Sequence, residues 1–224
     1  MGKYSCIMFD LDGTLLDTVG DIHYNINLAM KHFGYPERTL DEARSFINDG
    51  AFMLIKRALP EGAKDDDNVK RVLECYLECY DKNLCVKTTA YDGICELIER
   101  LKNENYKLCV VSNKPERHVI MLCDKFFGKG TFSYISGTGG EKPVKPDPKC
   151  VEYALKCIGE SREKLLFAGD SHVDVKTAQN AGVSCCGVTW GFHGKCGFRD
   201  SIPDFYADNA NELYQIISSR KQGE

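Results

Sequence analysis

No two cysteines stand in the Cys-x-x-Cys spacing of a redox dithiol, although the chain has 12 cysteines in 224 residues. Cys75 and Cys79 are four apart and Cys185 and Cys186 are adjacent; neither spacing suits a zinc site. Cys6, Cys109 and Cys185 lie in apolar, strand-like runs, where cysteine acts as a small hydrophobe. At this length a disulfide framework is not expected, and the thiols read as reduced. No apolar stretch is long enough to cross a bilayer. No signal peptide is expected, since the sequence goes from Lys3 into the first strand, and Met1-Gly2 lacks the Ser or Thr that myristoylation needs at position 6, where Cys6 stands. Basic excess is also missing: Lys+Arg 29 against Asp+Glu 33 gives a net charge of −4, without the footprint of a nucleic-acid binder. There is no internal repeat and no low-complexity tract. The expectation is a cytoplasmic protein that binds neither membrane nor nucleic acid.

What is present is an apolar run that ends in two acids, Cys6-Ile7-Met8-Phe9-Asp10-Leu11-Asp12-Gly13-Thr14-Leu15. Continuous apolar residues read as a buried strand of a parallel sheet. The carboxylates fall where that strand should end, which is where α/β sheets carry their working groups. After it the pattern turns helical. Apolar residues at Ile22, Ile26, Ala29, Met30 and Phe33 predict a helix over 21–33, ended by Gly34-Tyr35-Pro36. Further helical stretches run over 39–59, interrupted near Asn48-Asp49-Gly50, and over 68–84. The Asp65-Asp66-Asp67 run reads as a solvated loop or a helix start. From Asp92 helices alternate with strands, at 107–111, 132–136, 165–167 and 183–188, and a last helix covers 209–217. The predicted fold is α/β: a Rossmann-like, doubly wound parallel sheet over 1–15 and 90–224, with a helical cap inserted at 16–89. Hinges are expected near 15–17 and 90–92.

Four groups fall at the predicted strand ends and would face one crevice. They are Asp10-Leu11-Asp12-Gly13-Thr14, Val111-Ser112-Asn113, Lys145-Pro146-Asp147-Pro148, and Gly169-Asp170-Ser171-His172-Val173-Asp174. Each alone has a bland reading: a solvated turn, a helix cap before Pro115, an exposed lysine, a turn plus cap. Together they suit phosphoryl chemistry. Carboxylates can hold Mg²⁺, which neutralises a phosphate ester, while a hydroxyl, backbone N–H groups and a lysine bind the remaining oxygens. One carboxylate can attack phosphorus, and another can give and take the proton.

These motifs and their order resemble the haloacid dehalogenase-like phosphatases over nearly the whole chain. The resemblance implies Asp10 as nucleophile, Asp12 as acid/base, and Ser112, Asn113 and Lys145 at the phosphate. It implies Mg²⁺ held by Asp10, Asp170 and the main-chain carbonyl of Asp12, with Ser171 and Asp174 supporting it. Within the family, Phe46-Ile47-Asn48-Asp49-Gly50-Ala51, Ser112-Asn113-Lys114-Pro115 and Val188-Thr189-Trp190-Gly191 are similar to phosphoglycolate phosphatases. This makes Asn48, Asp49 and Gly50 a candidate substrate loop and 2-phosphoglycolate the leading substrate. Asp49 departs from the small or neutral residue usual there and would repel a carboxylated substrate if it pointed inward. Pyrophosphate, nucleoside monophosphates, a β-phosphoglucomutase-like mutase and a catalytically silent binding protein stay open. A small phosphorylated metabolite is the expected partner, and the chain is expected to act as a monomer or homodimer. His172 and Lys56 read as surface helix positions, His23 as a cap-helix residue, His193 as part of a Gly-rich loop that either lines the entrance or is simply a turn, and Trp190, the single tryptophan, as packing.

Overall fold

A computed structural model describes residues 3–140 and 142–219; Met1-Gly2, where myristoylation was weighed, lies outside them. Six parallel strands form the main sheet in the order β5-β4-β1-β6-β7-β8. They are β1 (Cys6–Phe9), β4 (Lys107–Pro115), β5 (Tyr134–Thr138), β6 (Leu165–Gly169), β7 (Ser184–Val188) and β8 (Phe205–Ala207). Strand β1 is central and wholly buried. Its alternation feeds both sides of the sheet: Ile7 and Phe9 enter one core and Cys6 and Met8 the other. Helices α5 (Ile94–Asn103), α6 (Glu116–Phe127) and α9 (Ala210–Ser218) cover the first side; α7 (Lys149–Ile158) and α8 (His172–Ala181) cover the second. In α5 the residues Ile94, Leu97, Ile98 and Leu101 form the buried stripe that a 3.6-residue period puts on one face. The chain runs outward from β1 through β4 to β5 and then returns to β1's other side as β6. The carboxyl ends of β1, β4 and β6 therefore meet where the strand order reverses, at the crevice of a doubly wound sheet.

The cap comprises α1 (Val19–His32), α2 (Leu40–Phe46), α3 (Gly50–Ala58) and α4 (Asp66–Lys82), with a core of its own that includes Ile26, Met30, Ile55, Val69 and Val72. Two short strands, β2 (Leu16–Asp17) and β3 (Thr89–Ala90), pair antiparallel and tie the linkers together where the hinges were expected. The fully buried Asp21 fastens this junction, accepting hydrogen bonds from the backbone N–H groups of Lys87 (2.8 Å) and Thr88 (3.0 Å) and from the Thr88 hydroxyl (2.5 Å). The acidic run is a helix start: Asp65 caps α4 by accepting from the Asn68 N–H at 3.0 Å.

Three differences from the sequence reading stand out. Strand β4 does not stop at Val111 but continues to Pro115 through a register shift, so Ser112 and Asn113 belong to a bulged strand end and are not the cap of α6. Strand β8 was not foreseen; it is three residues long, two of them exposed, and too short for a period to register. The two-residue strands β2 and β3 are too short for any period to register. All 12 cysteines are free. Burial pushes the Cys123 and Cys186 thiols up to about 12, which fits inert core residues.

Candidate active site

Past Phe9 the chain keeps one more bond to the sheet, from the Asp10 N–H to the Ala168 carbonyl at 3.0 Å. It then coils tightly, with the N–H groups of Thr14, Leu15 and Leu16 all directed to the Leu11 carbonyl. Leu11 is buried in the core, while Asp10 and Asp12 on either side of it line the cleft. Gly13 makes the coil possible. Its φ is +85°, and a Cβ there would stand 2.3 Å from an Asp170 carboxylate oxygen.

Lys145 lies between two carboxylates. Its Nζ is 2.8 Å from Asp10 Oδ1, at an angle that makes an ion pair and not a directed hydrogen bond, and it donates to Asp174 Oδ1 at 2.6 Å. Asp174 Oδ2 accepts from the Ser171 hydroxyl (2.6 Å) and N–H (3.1 Å), so both oxygens of Asp174 are taken. Asp170 accepts from the Thr14 hydroxyl at 3.4 Å and from the Phe192 N–H at 3.2 Å. Asp10, Asp170 and Asp174 each bring one oxygen within 4.8 Å of the others, and all three are buried.

This cluster holds more negative charge than one lysine balances. Burial pushes the Asp10 carboxyl up to about 6, against the pull of Lys145. Burial also raises Asp170 well above the usual carboxylate range, and the Asp174 and Asp10 charges add to it. Burial alone would lower Lys145, but Asp10 and Asp174 outweigh it and hold the ammonium above its ordinary value. Carboxylates unwilling to ionise together are what a hard divalent cation with oxygen ligands relieves, so the donor set fits Mg²⁺.

Asp12 is not part of that cluster. Its Oδ1 accepts from the Thr18 hydroxyl (2.6 Å) and from Lys114 Nζ (3.0 Å), and its Oδ2 lies 3.2 Å from the same Lys114. Lys114 is buried, with its ammonium also 4.6 Å from the Tyr80 ring centroid. Ser112 is buried on the cleft wall. Asn113, expected at the phosphate, spends its side-chain amide on position: it accepts from the Lys145 N–H (2.9 Å) and donates to the Lys145 carbonyl (3.0 Å) and to the Asn48 carbonyl of the cap (3.1 Å). Asn48 and Gly50 line the cleft. Asp49 does not; it is ion-paired with Arg57. A second seam joins cap to core where Arg117 and His118 on α6 meet Asp81 on α4.

The cleft has about 510 Å³ of empty space, counting its open mouth. Its cap wall is Ile22, Ile47, Ala51, Leu54 and Tyr76. The sequence reading missed Lys114 and Thr18, both on Asp12. Lys114 stood inside the quoted Ser112-Asn113-Lys114-Pro115 motif, but nothing in the pattern tells a buried lysine from an exposed one. The bulge in β4 turns it inward. Trp190, expected as packing, packs against the core and also donates its indole N–H to the Thr14 carbonyl at 3.0 Å.

Residues 7–188 match the model of a family described as haloacid dehalogenase-like hydrolase. A phosphoglycolate phosphatase of Haemophilus influenzae is 33% identical over 221 residues, covering 96% of this chain and 99% of the relative. Phosphoglycolate phosphatase 1 of Pseudomonas aeruginosa is 32% identical over 211 residues, covering 92% of this chain and 77% of the relative. The crystal structure of a predicted phosphoglycolate phosphatase from Haemophilus somnus superposes with a TM-score of 0.89 at 31% identity, covering 96% of this chain and 99% of that one.

Proposed function

The chain belongs to the haloacid dehalogenase-like hydrolases and is a phosphatase, and on that premise we propose that it hydrolyses a small phosphate monoester through a phospho-aspartate on Asp10, with 2-phosphoglycolate the leading substrate. The observation that carries this reading is Lys145 joined to both Asp10 and Asp174 beside Asp170, with Asp10 and Lys145 lining the cleft. An Asp10 oxygen attacks phosphorus in line while the bond from phosphorus to the ester oxygen breaks. Asp12 gives its proton to the departing alkoxide. It then takes a proton from the water that attacks the acyl-phosphate, which releases inorganic phosphate and restores Asp10. Ser112 and Lys145 bind the phosphoryl oxygens, and Asn113 holds Lys145 in place through its backbone.

Mg²⁺, held by Asp10, Asp170 and the Asp12 carbonyl, would neutralise phosphoryl charge. Ser171 and Asp174 orient that set: Asp174, with both oxygens engaged, steadies Lys145 and the start of α8. The cap closes over the cleft, excludes bulk water and selects the substrate, with 16–89 moving against the rest. Two features favour 2-phosphoglycolate: the relatives' names, and an Asp49 whose charge is met by Arg57. Among the described residues no helix is long and apolar enough to cross a membrane. The 12 free thiols fit a reducing, cytoplasmic setting.

The test is kcat/KM over a panel of 2-phosphoglycolate, pyrophosphate, nucleoside monophosphates and sugar phosphates, with Mg²⁺ and with chelator. Highest turnover is expected for 2-phosphoglycolate, none with chelator, and recovery on adding Mg²⁺. A better substrate elsewhere in the panel replaces the substrate assignment. Interconversion of sugar phosphates without phosphate release removes the hydrolase mechanism.

A further inference from the structure

Two cationic side chains line the cleft, Lys145 and Lys114. Lys145 is committed to Asp10 and Asp174 at the phosphoryl end. A substrate with a second anionic group needs another partner, because a carboxylate taken out of water without a cation or hydrogen bonds is strongly disfavoured. The cap wall lines the cleft with no cation: Ile22, Ile47, Ala51 and Leu54 are aliphatic, and Tyr76 and Asn48 are uncharged. Arg57 is occupied by Asp49 and by the Phe46 carbonyl, to which it donates at 2.9 Å.

Resting on the phosphoglycolate reading above, we infer that Lys114 reads the substrate's carboxylate and, in doing so, lets go of Asp12. In the structure both Asp12 oxygens face donors, Thr18 and Lys114 on one and Lys114 on the other. Both Asp12 oxygens thus already have a donor, and the ester's leaving oxygen must compete with Lys114 for Oδ2. Lys114 is a compact charge on a flexible four-carbon stem, so it can exchange one carboxylate for another without leaving the buried site. Tyr80 gives the ammonium an aromatic face that either partner leaves in place. When the incoming carboxylate takes Lys114, Thr18 still holds one Asp12 oxygen; the other takes a proton from solvent in the cleft and turns to the leaving group, to which that proton passes. A substrate without the carboxylate leaves Asp12 tied. Selectivity then enters through turnover as well as binding, as differential stabilisation of the transition state requires. Lys114 is thus a specificity residue that touches substrate, and its position on Asp12 is its resting contact.

The experiment compares kcat/KM for 2-phosphoglycolate and for ethyl phosphate, which lacks the carboxylate, in the wild type, Lys114→Met and Lys114→Arg, all with Mg²⁺. The wild type should prefer 2-phosphoglycolate. In Lys114→Met that preference should fall roughly tenfold to a hundredfold, the size of a hydrogen bond to a charged group, with kcat contributing to the loss. Lys114→Arg, which keeps the charge, should retain part of it. Because a ratio is read, any general loss of activity cancels. Lys114→Gln gives the same reading if Lys114→Met does not fold. A wild-type preference that survives in the charge-deleted variant overturns the inference and leaves 2-phosphoglycolate standing. A wild type with no preference overturns the substrate assignment itself, and this inference with it.

Discussion

The two walls of the cleft are built from different chemistry. The core wall carries Asp10, Asp12, Ser112, Lys114 and Lys145, all buried, the first four at or just beyond the ends of β1 and β4 and Lys145 in the loop between β5 and α7, and bonded to one another or to the backbone. The cap wall carries Ile22, Ile47, Ala51 and Leu54, with Tyr76 and the Asn48 loop as its polar features. Charges that must hold sub-ångström geometry sit on a six-stranded sheet whose central strand cannot shift. Aliphatic side chains need only exclude water and set a shape, so they can sit on a body joined to the core by two short linkers. The contrast implies that substitutions on the core wall act on chemistry and those on the cap wall act on fit.

The sharpest way to break that division is Asp10→Asn. Turnover should fall by roughly 10⁴-fold or more, as for other enzymes that lose a nucleophile, while far-UV circular dichroism stays as in the wild type. An Asn variant that hydrolyses at the wild-type rate would mean that the core wall does not attack phosphorus. The next effect is on stability. Burial raises the Asp10 carboxyl from 3.8 to about 6, so between those values the folded chain binds a proton that the unfolded chain has lost. Stability of the metal-free protein therefore decreases as pH rises through this window, by on the order of 3 kcal/mol once Asp10 is fully ionised. Below the window Asp10 is protonated in both states and the loss is absent, so stability is there in full. A divalent cation offsets the charge, so Mg²⁺ should raise Tm more near pH 7.5 than near pH 5. Thermal melts with chelator and with Mg²⁺ at both values decide it. An equal gain at both would separate the acidic cluster from metal binding.

How far each wall was legible in the sequence follows from the same contrast. Asp10, Ser112, Lys145 and Asp170 could be located because strand ends are marked by apolar runs and the four motifs keep a fixed order. The cap's helices were legible by their period, and its separate core followed from it. What stayed hidden depends on partners distant in the chain. Lys114 reaches Asp12 across 102 positions, and Asp21 closes a linker 67 positions away. Asn113 is expected at the phosphate by its place in the Ser112-Asn113 motif; its bonds to the Lys145 backbone depend on the bulged end of β4, which the motif does not announce. Local pattern reports which face a residue occupies and is silent about which charge it will meet.

On the cap wall the expected effects are smaller. Leu54 is buried both in the cap core and against the cleft. Leu54→Ala should destabilise the protein by about 2 kcal/mol, at the low end for a buried leucine because the void opens to the cleft. KM for 2-phosphoglycolate should rise by more than kcat falls. Denaturant melts and steady-state kinetics check the two parts. A fall in kcat with unchanged KM would place this aliphatic residue in the chemistry and end the division of labour.

The smallest effect belongs to Asp49, the residue whose charge seemed at odds with a carboxylated substrate. It lies between Asn48 and Gly50 but outside the cleft's lining, and its carboxylate pairs with Arg57; both side chains are about one-third exposed. Exposed pairs of this kind contribute about 0–1 kcal/mol. Asp49→Asn should therefore leave kcat/KM for 2-phosphoglycolate within about threefold of the wild type, since removing a charge already met by Arg57 changes the field in the cleft little. Were Asp49 instead repelling the substrate, its neutralisation would raise kcat/KM for the carboxylated ester tenfold or more and leave ethyl phosphate unaffected. The same pair of substrates that reads Lys114 thus also reads Asp49. The two residues should give opposite answers: a large change in preference for the buried cation on the core wall, and almost none for the paired anion on the cap.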